Sequence, residues 1–309
     1  MADPEEEKKT ARKEAVSKKA SKAPRAPRKK AAAPEKETKA KKEKVVPSVK
    51  PGQVHVYSIE GDVVKSVDLP PVFRSEIRPD LIRRAVTAYQ ANRRQPYGPA
   101  PGAGMRHSVR WSGKGHGVSR VPRIRGTMIG AQAPGTVGGR RGHPPRVDTV
   151  WTKKVNVHER HLARNAALAA IRDPILVASR GHRFREDLTL PVVVEDRLET
   201  LEPDGGRTRE GLAILDHLGL GLDVDRAKEG RHVRAGRGKM RGRRYRQPRS
   251  LLVVAKETDK VRRLFGNLPG VDVVSPGGLN AEILAPGGAP GRLTVFTEGA
   301  LESLRGWQP

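Results

Sequence analysis

The sequence contains no cysteine, which excludes a disulfide-stapled framework, thiol nucleophiles and every thiolate-held metal. Aromatic residues make up only 4% of it, so parts of the chain have few large side chains with which to build a core. No apolar run approaches the ~20 residues that cross a bilayer, and the first residues hold no apolar segment of the secretory kind. The expectation is a soluble, intracellular protein with no membrane partner. Acidic residues are the most informative shortage: 61 Lys and Arg face 34 Asp and Glu over 309 residues, for a formal net charge of +27. An imbalance of that size implies a polyanionic partner.

The excess is not spread evenly. Residues 1–50 hold 17 Lys/Arg and 8 acids in a Lys/Ala/Pro/Glu mixture, and are expected to form a disordered basic tail. Residues 91–150 hold 11 Lys/Arg against a single acid, Asp148, and residues 231–249 hold 9 against none. The remaining 180 residues carry 24 basic and 25 acidic side chains and are close to neutral. Cations that merely solvated a surface would have no reason to segregate in this way.

The neutral body alternates strand and helix signals. Gln53–Ser58 and Val63–Val67 read as two short strands around Glu60-Gly61-Asp62. Pro79 suits the first turn of a helix whose Leu81, Ile82, Ala85, Val86 and Tyr89 share a face, ending before Gln95-Pro96. Asn156 and Glu159 have capping-box spacing at the head of a second helix, with Leu162, Ala166, Ala169 and Ala170 as its small-residue face and Asp173-Pro174 as its stop. Beyond it, Val192–Val194, Leu251–Ala255, Val271–Val274 and Leu293–Phe296 are short apolar runs. They are separated by helical stretches through Leu212–Leu218, Val261–Leu268 and Leu279–Leu284. β-Branched runs between helices indicate a parallel sheet covered on both faces. The fold expected over residues 51–309 is one open three-layer α/β/α domain with a mostly parallel sheet, interrupted by the two basic segments.

Such folds often hold nucleotide enzymes, but the required patterns are missing. No G-x-G-x-x-G joins a strand to a helix. Gly113-Lys114-Gly115-His116-Gly117 has no preceding strand signal and no Ser/Thr after its lysine, and Gly277-Gly278 and Gly287-Gly288 follow proline as turns do. His158 and His161 read as helix-surface residues without a completed metal pattern, and Glu195-Asp196 as a solvated strand end. Neither catalysis nor a cofactor is expected.

Residues 91–150 contain 12 Gly and 7 Pro but no Leu or Phe, so they cannot fill a core; a loop of that length is functional or disordered. Its arginines (Arg93, Arg94, Arg106, Arg110, Arg120, Arg123, Arg125, Arg140, Arg141, Arg146), with Lys114, are interleaved with Tyr97, His107, Trp111, His116 and His143. Arginine grips phosphate and stacks on bases, planar rings accept unstacked bases, and glycine lets the backbone run close to a phosphate wall. Arg231 to Arg246 repeats this chemistry more densely, with Arg234, Arg237, Lys239, Arg241, Arg243, Arg244 and Arg246 as candidate phosphate contacts. Both segments suit RNA, and the long one is expected to be disordered without it.

Three stretches in order complete a pattern: Ala91-Asn92-Arg93-Arg94-Gln95, Gly138-Gly139-Arg140-Arg141-Gly142-His143-Pro144-Pro145, and Gly236-Arg237-Gly238-Lys239-Met240-Arg241-Gly242-Arg243. Over about residues 50–300 the chain resembles the family of large-subunit ribosomal protein four in its archaeal and eukaryotic form. The resemblance implies a structural protein of the cytoplasmic ribosome, not an enzyme. Its partners would be large-subunit rRNA, neighbouring ribosomal proteins and the nascent peptide. Beyond Mg ions held by the RNA itself, no cofactor is implied. A globular domain would sit at the subunit's solvent side while the long loop threads rRNA and its tip narrows the peptide exit tunnel. By position, Arg123, Arg125, Met128 and Gln132 would line the tunnel, and Arg93, Arg94, Arg106, Arg110, Trp111, Lys114, His116, Arg120, Arg140, Arg141, His143 and Arg146 would contact rRNA. A tail like residues 1–50 is absent from many relatives. The rival readings are a general nucleic-acid compaction protein, suggested by that tail, and an α/β enzyme acting on RNA, which lacks a site.

Overall fold

The period of the apolar residues decides which segments pair and which coil. The structure, a computed structural model, describes residues 50–201 and 208–307; the tail expected over residues 1–50 lies, except for Lys50, outside them. Gln53–Tyr57 (β1) and Val63–Asp68 (β2) pair antiparallel. Gly61 turns between them at φ +86°, where a Cβ would stand 2.5 Å from the His217 carbonyl oxygen; both the turn and the close approach need glycine. Pro79–Asn92 (α1) follows, and the basic loop after it contains the two-residue strands Val109–Arg110 (β3) and Arg123–Ile124 (β4), paired with each other.

The body resumes with Val157–Ile171 (α2), Pro174–Ser179 (α3), Val192–Val194 (β5), Arg197–Thr200 (α4), Thr208–His217 (α5) and Gly221–Glu229 (α6). His232–Val233 (β6) and Tyr245–Arg246 (β7) make a basic hairpin. The chain then runs through Leu252–Val254 (β8), Thr258–Phe265 (α7), Asp272–Val274 (β9), Ala281–Leu284 (α8), Thr294–Thr297 (β10) and Glu298–Ser303 (α9).

The main sheet has the order β2-β1-β5-β10-β8-β9, and every pairing is parallel except that of β2 with β1. Strand alternation feeds two cores. Val193, Leu252, Val254 and Phe296 pack with α1, α2, α8 and α9, whereas Val192, Val194, Val253 and Val295 pack with α5, α6 and α7. This is the three-layer α/β/α domain that the sequence predicts. Two of the few aromatic side chains meet in the first core: Phe73 lies edge to face with Phe296 at 5.9 Å, so truncating either would cost about 3–5 kcal/mol.

Several local expectations are corrected. The capping box at α2 does not form: Asn156 makes no side-chain cap, and Glu159 is drawn 3.4 Å from Arg84 of α1 instead. Of the expected small-residue face of α2, Ala166, Ala169 and Ala170 are buried, but Leu162 is exposed and Ala163 and Ala167 extend the buried stripe in its place. Small side chains on that stripe bring α1 and α2 close together. Asp173-Pro174 ends one helix but also starts another. Asp173 Oδ1 accepts the Ile175 N–H at 2.9 Å and Pro174 occupies the first turn of α3. Helices α4, α6 and α9 have no counterpart in the sequence reading.

Candidate nucleic-acid interface

In open α/β sheets, ligands enter the crevice outside the carboxyl ends of the strands. Here the protein's own carboxylates occupy that place. Glu199, buried just past β5, accepts the N–H groups of Lys256 at 2.7 Å and Glu257 at 3.0 Å and the Thr297 hydroxyl at 2.6 Å. Asp196 accepts the Gly299 N–H at 2.7 Å. Backbone donors that would cradle a phosphate are therefore already satisfied.

A second buried network brings together the residue types of a hydrolase triad without its geometry. Ser250 donates to Asp223 at 2.6 Å rather than to His182, whose Nδ1 lies 3.1 Å from both Asp223 oxygens. Arg226 Nε donates to Asp223 at 2.8 Å, the Arg183 N–H at 3.1 Å, and Arg226 also donates to the Arg249 carbonyl at 3.0 Å. Burial opposes ionisation of Asp223, but donors from His182, Arg226 and Ser250 outweigh it and hold the carboxyl well below its usual range. Burial pushes His182 down, and the nearby Arg226 and Arg180 cations add to that effect against Asp223. His182 Nε2 is buried and unpartnered among the described residues, which suits a neutral ring with its proton on Nδ1. With the serine hydroxyl committed to a carboxylate and all three groups sealed from solvent, this cluster is structural. It anchors the base of the 231–249 hairpin.

The long loop leaves and re-enters the body through a clamp. Asn92 Oδ1 accepts the Lys153 N–H at 2.8 Å. Tyr97 stacks on Trp151 with ring centres 5.9 Å apart and planes at 17°, and Arg94 lies 4.1 Å over the Trp151 ring. Sequence reasoning named Arg94 but overlooked Trp151. The available signal was an aromatic residue at each edge of the segment in an aromatic-poor chain. Beyond the clamp the two limbs run with their backbones in contact. A Cβ on Gly98 would stand 2.7 Å from the Pro145 carbonyl oxygen, and one on Gly104 would stand 2.6 Å from the Arg140 nitrogen. The Gly138-Gly139-Arg140-Arg141 motif thus has a steric role: Gly139 is closed in by Ala133 and Thr136.

The arginines of the flanks point outward. Arg93, Arg94, Arg106, Arg110, Trp111, Lys114, His116, Arg120, Arg140, Arg141, His143 and Arg146 are all exposed. At the far end the four candidates divide. Arg125 and Met128 are exposed, whereas Arg123 folds back on the Met128 and Ser119 carbonyls. Gln132, at φ +61°, donates to the carbonyls of Met105 at 3.0 Å and of His107, tying one limb to the other. Ile129 and Val137 join Met128 as exposed apolar side chains, and the sequence reading had passed over both.

In the hairpin, Arg231 lies 4.2 Å and Arg244 5.8 Å from the Tyr245 ring centre, and Arg234 donates to the carbonyls of Arg243 and Tyr245 at 3.1 and 3.2 Å. Arg237, Lys239, Arg241, Arg243, Arg244 and Arg246 are exposed and Arg234 is half-buried. Of all the cations in the two segments, only Arg93 and Arg249 meet a carboxylate among the described residues, Glu282 at 2.8 Å and Asp272 at 2.6 Å respectively.

A near-neutral α/β body whose strand-end crevice is filled by its own carboxylates carries two excursions of cations that, apart from Arg93 and Arg249, meet no carboxylate among the described residues, which defines the class as an α/β domain with basic extensions. Comparison with known proteins narrows the class. Residues 67–307 match the model of the Ribosomal protein L4/L1 family. The chain is 46% identical over 253 residues to the large ribosomal subunit protein uL4 of Thermoplasma acidophilum, covering 82% of this chain and 97% of that one. It is 48% identical over 254 residues to the protein of the same description from Methanopyrus kandleri, at 81% and 96% coverage. For the one from Methanothrix thermoacetophila the identity is 50% over 249 residues, at 81% and 97% coverage. The chain belongs to the ribosomal protein L4/L1 family, and its relatives are ribosomal proteins, not enzymes.

Proposed function

We propose that this protein is a structural component of the large ribosomal subunit that binds rRNA through residues 91–150 and 231–249. In this reading the distal part of the loop reaches the nascent-peptide exit tunnel. The observation that carries it is that, among the described residues, the loop and hairpin cations other than Arg93 and Arg249 meet no carboxylate, in a chain whose body is close to neutral. Arginines that meet no carboxylate break no ion pair when they neutralise phosphate, and counterion release then favours binding. Phosphate contacts of this kind fix position on a folded RNA. The clamp at Trp151 and the glycine contacts between the limbs hold the loop narrow enough to pass between RNA helices. At its end, exposed Arg125 and Met128 would face the nascent peptide, while Arg123 and Gln132 shape the turn from within. Neighbouring large-subunit proteins would complete the setting.

The flank and tip roles are separable by mutation. Replacing Arg140, Arg141 and Arg146 together by alanine should deplete the chain from large subunits in sucrose gradients. Replacing Arg123 and Arg125 should leave assembly closer to normal and alter nascent-chain passage. Equal assembly defects from both sets would overturn the division.

A further inference from the structure

The outer edge of the main sheet lies at the floor of a groove of about 700 Å³. One wall comes from the layer containing α1 and α8, through Arg93 and Glu282, and the other from α7 and its end, through Arg262 and Asn267. Val271 to Val274, including strand β9, run between them. A groove bounded by both helical layers with an edge strand between them opens on that strand's unpaired side.

The pairing of β9 with β8 shows which backbone groups face out. The Asp272 N–H donates to the Leu251 carbonyl at 3.3 Å, and the Val274 carbonyl accepts the Ala255 N–H at 3.2 Å. Residues alternate along a strand, so the N–H and C=O of Val273 point away from β8. The Val273 side chain is packed in the core with α7, so it is the backbone of this residue that borders the groove. Edge strands left open in this way accept another extended segment.

Charge selects the occupant. Arg93, Arg249, Arg262 and Arg292 line the groove against Asp272 and Glu282. Asp272 is held by Arg249 at 2.6 Å and by the fully buried Arg292 at 2.7 Å, and Glu282 by Arg93 at 2.8 Å. Arg262 is exposed and meets no carboxylate among the described residues. An RNA phosphodiester would offer no donor to the outward Val273 carbonyl. A peptide backbone supplies both a donor and an acceptor, and an acidic side chain on it would answer Arg262.

We propose that this groove docks an extended, acidic segment of a neighbouring protein, added as a further strand beside β9. The proposal rests on the reading that the chain assembles into the large subunit. Because the chain has no cysteine, Asn267→Cys on the groove rim gives one attachment point for a short photo-crosslinker. The probe is the cysteine-reactive crosslinker itself, used on the full-length chain within assembled subunits, with the product mapped by mass spectrometry. The expected result is a crosslink to a peptide segment containing Asp or Glu, reduced at least tenfold when Arg262→Glu is added to a chain that still assembles. Three results would overturn it: a crosslink to RNA, a protein crosslink insensitive to Arg262→Glu, or an introduced thiol that reacts freely with maleimide in the intact subunit. Absence of the unaltered chain from subunits would instead refute the reading on which the proposal rests.

Discussion

At the scale of single residues, the strongest constraints come from charged groups inside the body. Asp223 is fully buried and accepts from His182, Arg183, Arg226 and Ser250. Asp223→Ala would leave Arg226 and the hairpin base without their partner, and removing one member of a buried charge pair costs about 3–5 kcal/mol. Urea unfolding of the purified chain should register a loss of that size, and a loss below about 1 kcal/mol would contradict the anchoring role. The pH dependence follows from the same cluster. His182 has its folded pKa depressed, so the unfolded chain takes up a proton that the folded one resists. Stability should therefore begin to fall as pH drops below about 6.5, the ordinary histidine value. Asp223 is also depressed, so its contribution is present above the ordinary carboxylate range and is lost in stronger acid. Unfolding midpoints measured from pH 8 to 4 should decline for the natural chain. They should decline less above pH 5 for His182→Gln, and an identical decline would exclude His182 as the cause.

At the scale of elements, legibility in the sequence depended on whether a segment answers to its own neighbours or to distant ones. The strands Val192–Val194, Leu252–Val254 and Thr294–Thr297 were readable because a strand buried on both faces must be an unbroken apolar run. Helix α6 was not, because Gly221 and Asp223 are poor helix residues, and Asp223 is held largely by His182 and Ser250, separated from it by 41 and 27 positions. On α2 the alanines Ala166, Ala169 and Ala170 were placed correctly and Leu162 was not, because in an alanine-rich helix the period alone does not fix the edge of the buried face. In the loop, the arginine positions and the glycine signature were legible, but the inward turn of Gln132 toward Met105 was not, since nothing local demands it. The loop also carries a dynamic prediction. Between residues 100 and 140 its one buried apolar side chain is Ala131, so little holds it closed without RNA. Amides of residues 100–140 should exchange rapidly in the free protein while those of β5, β8 and β10 are protected, and strong protection of the loop without RNA would contradict this.

At the scale of the molecule, the formal charge of +27 separates into a balanced domain and cationic extensions. The domain closes its own crevice with Glu199 and Asp196, braces the hairpin through Asp223 and clamps the loop through Trp151. What it presents outward is two sets of exposed arginines, the phosphate contacts of the proposed function. The most direct measurement is a density map of the large subunit containing this chain. Residues 100–140 should be enclosed by rRNA, with the Arg140 and Arg141 guanidiniums about 2.7–2.9 Å from phosphate oxygens and Met128 near the tunnel wall. A loop lying in solvent or packed only against protein would contradict this.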